Sequence, residues 1–472
     1  MEKIECDICV IGGGSGGLSV AAGAVQMGAS VVLLEHGKMG GDCLNYGCVP
    51  SKALIAAGRR AHAMTGANRY GVANMEPQVD FGAVKDHVFG VIDAIAPVDS
   101  QERFEGLGVR VIRETGHFIS DSELEAGDFR IKARRFVIAT GSSPFVPPIP
   151  GLGDVEYYTN ETIFELRERP SHLIVVGGGP IGVELAQAHR RLGSEVTVIE
   201  GVRALGKDDP DFAAIVLDQL RAEGVEIIEG AQAERVSRSD DGIVVHLPEG
   251  RDVHGSHLLM AVGRRANVDS LDADKAGIDT NRAGIVVDDR LRSSNRRVYA
   301  VGDVAGRMQF THVAGYHAGI VIRQTLFGLP AKAKQDHIPW VTYSDPELAQ
   351  IGLTEDQART EHGDRVEIAR FDFAENDRAQ TERATVGRIK VMVVKGRPVG
   401  VSIVGKNAGE LISLWSLVIA NGMKMSAVAG MVAPYPTISE INKRVAGAYF
   451  SPRLFDNPTV KRVVGLVQKV LP

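Results

Sequence analysis

Short, continuously apolar runs that end in glycine or in an acid punctuate the first two thirds of this chain. Ile8, Cys9, Val10 and Ile11 form one such run, followed at once by Gly12-x-Gly14-x-x-Gly17. A brief apolar run bounded by turn residues reads as a strand buried on both faces, and glycines directly after it read as a strand-to-helix turn. The next run, Val31-Val32-Leu33-Leu34, ends in Glu35. Shifted by 165 residues the pattern recurs: a strand over residues 172–176, then Gly177, Gly179 and Gly182, then Val196-Thr197-Val198-Ile199 ending in Glu200. Val298-Tyr299-Ala300-Val301 is a further buried strand, with Asp303 just beyond its C-terminal end. From Ile338 the texture changes to alternation, as in Ile389-Lys390-Val391-Met392-Val393-Val394, mixed with helical stretches, and predicts an α+β unit. At the end of the chain Val460, Val463, Val464, Val467 and Val470 form one stripe of a helix, expected to pack on the body of the protein or on a partner subunit in preference to a membrane.

Length adds a domain count. A chain of 472 residues exceeds a single core and predicts about three domains. Four prolines (Pro144, Pro147, Pro148 and Pro150) mark a linker over residues 142–152, and the run Ala261-Val262-Gly263-Arg264-Arg265 closes the second nucleotide-type segment. The net charge of −6 argues against nucleic acid and against an anionic membrane surface as partners. No apolar run reaches the ~18 residues a membrane span needs. The polar start of the chain predicts no export signal and hence a cytoplasmic protein.

The spacing of glycines and acids carries the first chemistry. Glycines at these positions allow a tight turn and let backbone approach a pyrophosphate seated on a helix N-terminus, while the acid accepts hydrogen bonds from a ribose. Glu35 stands 23 residues after Gly12 and Glu200 stands 23 after Gly177, near the ~20 that this geometry requires. A single motif is weak evidence. Two in register predict two dinucleotide sites. Glu200 would bind a free 2′-hydroxyl and repel a 2′-phosphate, which favours NAD(H), although Arg203 close by keeps NADP(H) as the alternative.

The second chemistry lies in residues 40–52, Gly-Gly-Asp-Cys-Leu-Asn-Tyr-Gly-Cys-Val-Pro-Ser-Lys, which hold Cys43 and Cys48, two of only four cysteines. A thiol pair beside a nucleotide site suggests electrons moving between the cofactor and a disulfide, and flavin plus nicotinamide is the natural cofactor pair around a dithiol. A disulfide closing so short a loop would constrain the unfolded chain little, so a purely structural bridge is disfavoured. Cys48 precedes a helix start with Pro50 in its first turn, and Lys52 lies four residues on. Helix dipole and ammonium both lower a thiol pKa. Cys6 and Cys9 lie on the first strand, where residues three apart are expected on opposite faces, so they read as small buried residues and no metal site is expected.

Taken together these motifs resemble the flavin-dependent pyridine nucleotide–disulfide oxidoreductases, a family that includes dihydrolipoyl dehydrogenase, glutathione reductase and mercuric reductase. The resemblance covers essentially the whole chain and is carried by residues 40–52, Ala139-Thr140-Gly141-Ser142, Tyr299-Ala300-Val301-Gly302-Asp303 and Ile338-Pro339-Trp340 to Pro346-Glu347. It implies an α/β fold with two Rossmann-like dinucleotide-binding domains, for flavin and nicotinamide, plus a C-terminal α+β dimerisation domain. The implied boundaries are 1–145 (FAD, first part), 146–265 (NAD(P)), 266–335 (FAD, return segment) and 336–472 (interface), assembled as a homodimer. It implies FAD and NAD(H) as cofactors, bound through Gly12, Gly14, Gly17, Glu35, Lys52, Gly116, Thr140, Gly141, Asp303 and Thr311, and through Gly177, Gly179, Gly182, Glu200 and Gly263. Cys43 and Cys48 would form the redox disulfide, with Cys48 nearer the flavin and Cys43 meeting the substrate. Lys52 would pair with Glu184 on the second fingerprint helix.

One segment departs from the family. Dithiol-using members carry His-Pro-Thr-x-x-Glu near the C-terminus, where the histidine serves as base at the partner subunit's cysteines. Here Tyr435-Pro436-Thr437 leads to Glu440. Glu440 is kept, but Tyr435 replaces the base. A phenol near pKa 10 stays protonated where an imidazole near 6.5 exchanges protons. Tyr435 and Pro180 lean toward mercuric reductase, yet all four cysteines precede residue 49, so the C-terminal cysteine pair of those enzymes is absent. The leading expectation is a dihydrolipoyl dehydrogenase-like enzyme passing electrons between NAD(P)H and a small or protein-bound dithiol or disulfide. Reduction of a metal ion or quinone is the alternative, and a non-catalytic redox-sensing subunit is a third class.

Overall fold

The first fingerprint sits at the carboxyl end of a parallel sheet. In a computed structural model that describes residues 1–240 and 242–471, the strand Glu2–Ile11 pairs in parallel with Val31–Leu34 on one side and Phe129–Ile138 on the other. Arg110–Ile112 extends one edge and Val298–Ala300 pairs with Phe129–Ile138, all in parallel, while Glu123–Ala126 and Gly116–Phe118 add an antiparallel flap. Continuous apolar runs here reflect burial of both sheet faces, as parallel sheets require. The helices Ser15–Gln26 and Thr311–Thr325 lie against one face, where Leu18, Val20 and Ala24 meet Ala318, Ile320 and Val321 in one core cluster.

The second copy of the pattern builds a second parallel sheet. His172–Val176 lies between Glu195–Glu200 and His257–Met260, and the helix Pro180–Arg191 starts with proline in its first turn, where a missing N–H costs nothing. Ser142–Pro144 and Arg264–Ala266, the segments that enter and leave this region, pair antiparallel with each other.

By its internal contacts the chain divides into two units, residues 1–201 with 230–334, and residues 202–229 with 335–472. The second unit is an antiparallel sheet in the order Pro339–Thr342, Glu347–Gly352, Arg397–Gly405, Arg388–Val394, Val366–Asp372. Helices Ala408–Ala420 and Glu440–Phe455 share its core, and the Trp415 indole donates to Asn442 Oδ1 at 2.8 Å. Segment 202–229 is tied in by the buried Lys390 ammonium, which lies 2.9 Å from both Asp209 Oδ2 and Glu355 Oε2. The alternating pattern from Ile338 therefore becomes the expected α+β unit.

Two expectations need correction. Cys6 and Cys9 do not face opposite sides of the sheet: both pack in the same cluster, with Ile4 and Ile11, while Ile8 and Val10 face the other way. The alternation breaks at Asp7, where the pairing with Phe129–Ile138 skips one residue with its register unchanged and the N–H groups of Asp7 and Ile8 both donate to the Ser30 carbonyl at 3.1 Å. Burial raises the Cys6 thiol to about 12 and holds Cys9 well above the ordinary thiol range, so both are inert. Of the two supports expected for the terminal stripe, the body does not bury it: no residue of the helix Pro458–Val470 is buried. Among the described residues no helix is long and apolar enough to cross a membrane.

Candidate active site

The two fingerprints are superimposable in their physics. A side chain on Gly12 (φ +111°) would stand 2.4 Å from the Ala139 carbonyl oxygen, and one on Gly177 (φ +117°) 2.3 Å from that of Ala261. Gly17 and Gly182 would each drive a Cβ to 1.9 Å from the carbonyl of Gly12 or Gly177, so helix and turn touch only because both positions lack side chains. The acids close the turns: Gly13 N–H donates to Glu35 Oε2 at 2.7 Å, and Gly178 N–H to Glu200 Oε2 at 2.8 Å. Gly179, Gly141 and Gly263 face open space, and a Cβ on Gly14 would meet nothing closer than Gly41 Cα at 3.8 Å. That leaves room above each helix N-terminus for a pyrophosphate, so the residues present fit FAD at the first fingerprint and NAD(P)H at the second.

Thr140 and Gly141 form a turn held by Asn267, whose carbonyl accepts from Thr140 Oγ1 at 2.6 Å and whose amide donates to the Thr140 carbonyl at 3.0 Å. Gly116 is buried against Leu34 and Leu124, where a Cβ would clash at 2.4 Å, so packing alone demands glycine there.

The cysteine segment is docked directly on the first fingerprint. Gly40 N–H donates to the Gly13 carbonyl at 2.9 Å, and a Cβ on Gly41 would lie 2.7 Å from Gly14 Cα. Both glycines adopt positive φ, +86° and +63°. Cys43 then falls in the short helix Gly41–Asn45 and Cys48 opens the helix Cys48–Thr65. That helix crosses Pro180–Arg191 closely, with the Gly58 Cβ position 3.2 Å from the Ala188 carbonyl. At this crossing Lys52 Nζ lies 2.8 Å from Glu184 Oε2, with the Glu184 carboxylate buried.

Electrostatics separate the two thiols, both of them free. Cys48 is lowered to about 6 by the hydrogen bond from the Cys43 thiol, with help from Thr311, whose hydroxyl lies 3.3 Å from Cys48 Sγ, and from the Lys52 ammonium. Cys43 is raised by giving that hydrogen bond and by its burial. The arrangement stores one thiolate on Cys48 and one thiol on Cys43.

A network that sequence reasoning missed braces this loop. Arg264 Nη2 lies 3.1 Å from Asp42 Oδ1, and the Asn160 amide donates to the same oxygen at 3.1 Å and to the Tyr46 carbonyl at 3.2 Å. Arg264 Nε donates to Ser142 Oγ at 2.7 Å, and Ser142 Oγ donates to Asp303 Oδ2 at 2.5 Å. One guanidinium therefore links the residue beside Cys43 to the acid at the end of the strand Val298–Ala300. Burial raises the Asp303 carboxyl, opposed by the Ser142 hydroxyl. In the chain Arg264 shows only as the first arginine of a glycine-arginine run, and nothing local connects it to Asp42.

Lys52→Met and Arg264→Met are both expected to move Cys48 ionisation upward from about 6. The first removes a cation beside the thiolate, and the second leaves the Asp42 charge unneutralised next to it. Since the reactive thiolate exists above the midpoint, the alkylation rate of reduced protein should rise at higher pH in each variant than in the parent. Superimposable alkylation profiles would refute the assignment of these cations to Cys48.

Tyr435 and Glu440 lie in the second unit, and the cysteines in the first. Tyr435 is 69% exposed, and its hydroxyl donates to Asp377 Oδ2 at 2.9 Å. That hydrogen bond holds the phenol above its ordinary pKa. Glu440 begins the helix Glu440–Phe455. Among the described residues no group of three or more His, Cys, Asp or Glu side chains could hold a metal ion.

Comparison with known proteins supplies a frame. Residues 6–318 match the family described as pyridine nucleotide-disulphide oxidoreductase, and residues 338–446 match its dimerisation domain. A mercuric reductase from Streptomyces lividans is 34% identical over 460 residues, covering 94% of this chain and 96% of that protein. A dihydrolipoyl dehydrogenase from Geobacillus stearothermophilus is 33% identical over 455 residues, again 94% and 96% of the two chains. Among solved structures, the HOCl-induced flavoprotein disulfide reductase RclA from Escherichia coli superposes with a TM-score of 0.84 at 29% identity, covering 93% of this chain and 99% of that one; its Cu(II) complex gives 0.83.

Proposed function

This chain belongs to the pyridine nucleotide-disulphide oxidoreductase family, and we propose that within it Cys43 and Cys48 carry electrons from NAD(P)H to a disulfide substrate. It is an FAD-dependent oxidoreductase that uses NAD(P)H, and its dimerisation domain supports a homodimer. The boundaries 1–145, 146–265, 266–335 and 336–472 are our division of the chain into flavin, nicotinamide, flavin-return and interface parts.

The observation that carries the reading is geometric: Cys48 Sγ lies 3.3 Å from the Thr311 hydroxyl, on the helix whose Lys52 pairs with Glu184 at 2.8 Å, and Cys43 with these neighbours lowers its thiol pKa. When bound, FAD relays two electrons between the nicotinamide and the dithiol. Lys52, held by Glu184, keeps positive charge beside Cys48 as the thiolate forms. Cys43 attacks one sulfur of the substrate disulfide, and its proton goes to the sulfur that leaves. Cys48 then displaces the second substrate sulfur, closing the Cys43–Cys48 bond. Two electrons and the Cys43 proton have then passed to the substrate; its second sulfur leaves as a thiolate and takes its proton from solvent, giving a dithiol. Gly12, Gly14, Gly17, Glu35, Gly116, Thr140, Gly141, Asp303 and Thr311 are our assignment for FAD, and Gly177, Gly179, Gly182, Glu200 and Gly263 for the nicotinamide, with Glu200 favouring NADH.

Dihydrolipoyl dehydrogenase-like specificity is the finer expectation. A second reading, reduction of a soft metal ion or a quinone, is favoured by one observation: the Tyr435 phenol is tied to Asp377 and offers no base for a dithiol substrate. Relatives named mercuric reductase and a Cu(II) complex of RclA point the same way, and thiolates suit such ions. NADH oxidation by the purified holoenzyme with lipoamide, glutathione disulfide, Cu(II), Hg(II) and a soluble quinone decides between them. Turnover with a disulfide at least tenfold above the others is expected. Activity confined to metal ions or quinone would select the second reading.

A further inference from the structure

We propose that the helix Pro458–Val470 is a membrane-surface anchor, which lays its apolar face into a bilayer carrying anionic headgroups. The helix is solvent-exposed beyond the half-buried Val460: Val463 is 53%, Leu466 63% and Val470 81% exposed. It is nonetheless a well-started helix. The Asn457 side chain accepts from the N–H groups of Thr459 and Val460, and Pro458 occupies the first turn. At about 100° per residue, Val460, Val463, Val464, Leu466, Val467 and Val470 fill one side of the helix, while Lys461, Arg462, Gln468 and Lys469 fill the other. Leu454 and Phe455, 50% and 67% exposed, extend the apolar surface at the end of the preceding helix.

Charge decides the occupant. Residues 457–471 carry three cations and no acid, within a chain whose net charge is −6. The argument from net charge against anionic membranes therefore reverses in this segment. A helix with a cationic face, a Val/Leu face and low overall hydrophobicity is the kind that lies in the plane of the interface. Anionic headgroups supply counter-charge to all three cations at once, whereas a second protein surface would need acids matched to each. The dimerisation match ends at residue 446, before this helix begins.

The test is co-sedimentation of the holoenzyme with vesicles of phosphatidylglycerol and phosphatidylcholine, and with phosphatidylcholine alone. Binding to the anionic vesicles is expected, weakening as salt rises. Replacing Lys461, Arg462 and Lys469 together by glutamine should weaken it on the order of 100-fold, since each basic residue near such a surface contributes about fivefold. Val463→Asp with Val467→Asp should abolish binding while light scattering still reports a dimer and NADH oxidation in solution is unchanged. Failure to bind anionic vesicles, or binding indifferent to both sets of substitutions, would overturn the proposal. So would conversion of the double aspartate variant to a monomer, which would assign the helix to the interface between subunits.

Discussion

Cys48→Ser is expected to abolish the long-wavelength absorption that a thiolate gives beside a flavin, and to lower turnover by on the order of 10⁴-fold or more, the scale of loss when a nucleophile is deleted. The serine hydroxyl is nearly isosteric and can keep the contact to Thr311, so the Lys52–Glu184 pair and the docking of residues 40–41 on the first fingerprint should survive. What vanishes is a group that ionises near 6. Cys43→Ser makes the complementary case. Cys48 keeps Lys52 and Thr311, and the serine hydroxyl can still donate to it, so the absorption should persist while transfer to the acceptor stops. In the parent enzyme the band should grow as pH rises through about 6, because the absorbing form is the thiolate. An intact two-electron-reduced enzyme with no such band, or a Cys48→Ser variant that still turns over, would remove Cys48 from the mechanism.

Tyr435→His is expected to raise dihydrolipoamide oxidation by roughly 10²–10⁴-fold, the usual span of general-base catalysis. The tyrosine donates its only proton to Asp377, and that bond pushes its pKa up, so at neutral pH it accepts nothing. An imidazole near pKa 6.5 in the same place could take the proton of a dithiol substrate. Asp377 beside it would favour the imidazolium, so the restored activity should climb with pH as the ring becomes neutral. Tyr435→Phe is the control, and it should leave the low parental rate of dithiol oxidation where it was. If histidine brings no gain, cleft shape or the substrate itself sets the limit, and the metal or quinone reading strengthens.

Backbone chemistry was the most legible part of the chain. Glycines with fixed spacing have one geometric reason to be there, and both fingerprints appear with their acids hydrogen-bonded across the turn. Lys52 and Glu184 meet at 2.8 Å, as the resemblance implied. Side-chain networks were less legible. Arg264 reaches Asp42 and, through Ser142, Asp303 because separate stretches of chain converge, and no local period records that. The break in alternation at Asp7 was invisible for a related reason: it occurs where Ser30, a partner 23 residues on, captures two successive N–H groups. The valine stripe at the C-terminus was read correctly as a helix, but periodicity reports which residues share a face and is silent on what lies opposite.

The contact between Gly41 and Gly14 has a consequence for how such a site can vary. A Cβ at position 41 would strike the fingerprint turn at 2.7 Å, so the nucleotide loop and the thiol loop are a single mould. Drift in one loop must be matched by the other. Grafting residues 40–52 onto an unrelated nucleotide-binding scaffold should therefore yield cysteines without a reactive centre. Residues outside these two loops are free of that constraint, which lets one electron-transfer core be inherited unchanged while the surroundings that choose an acceptor are exchanged.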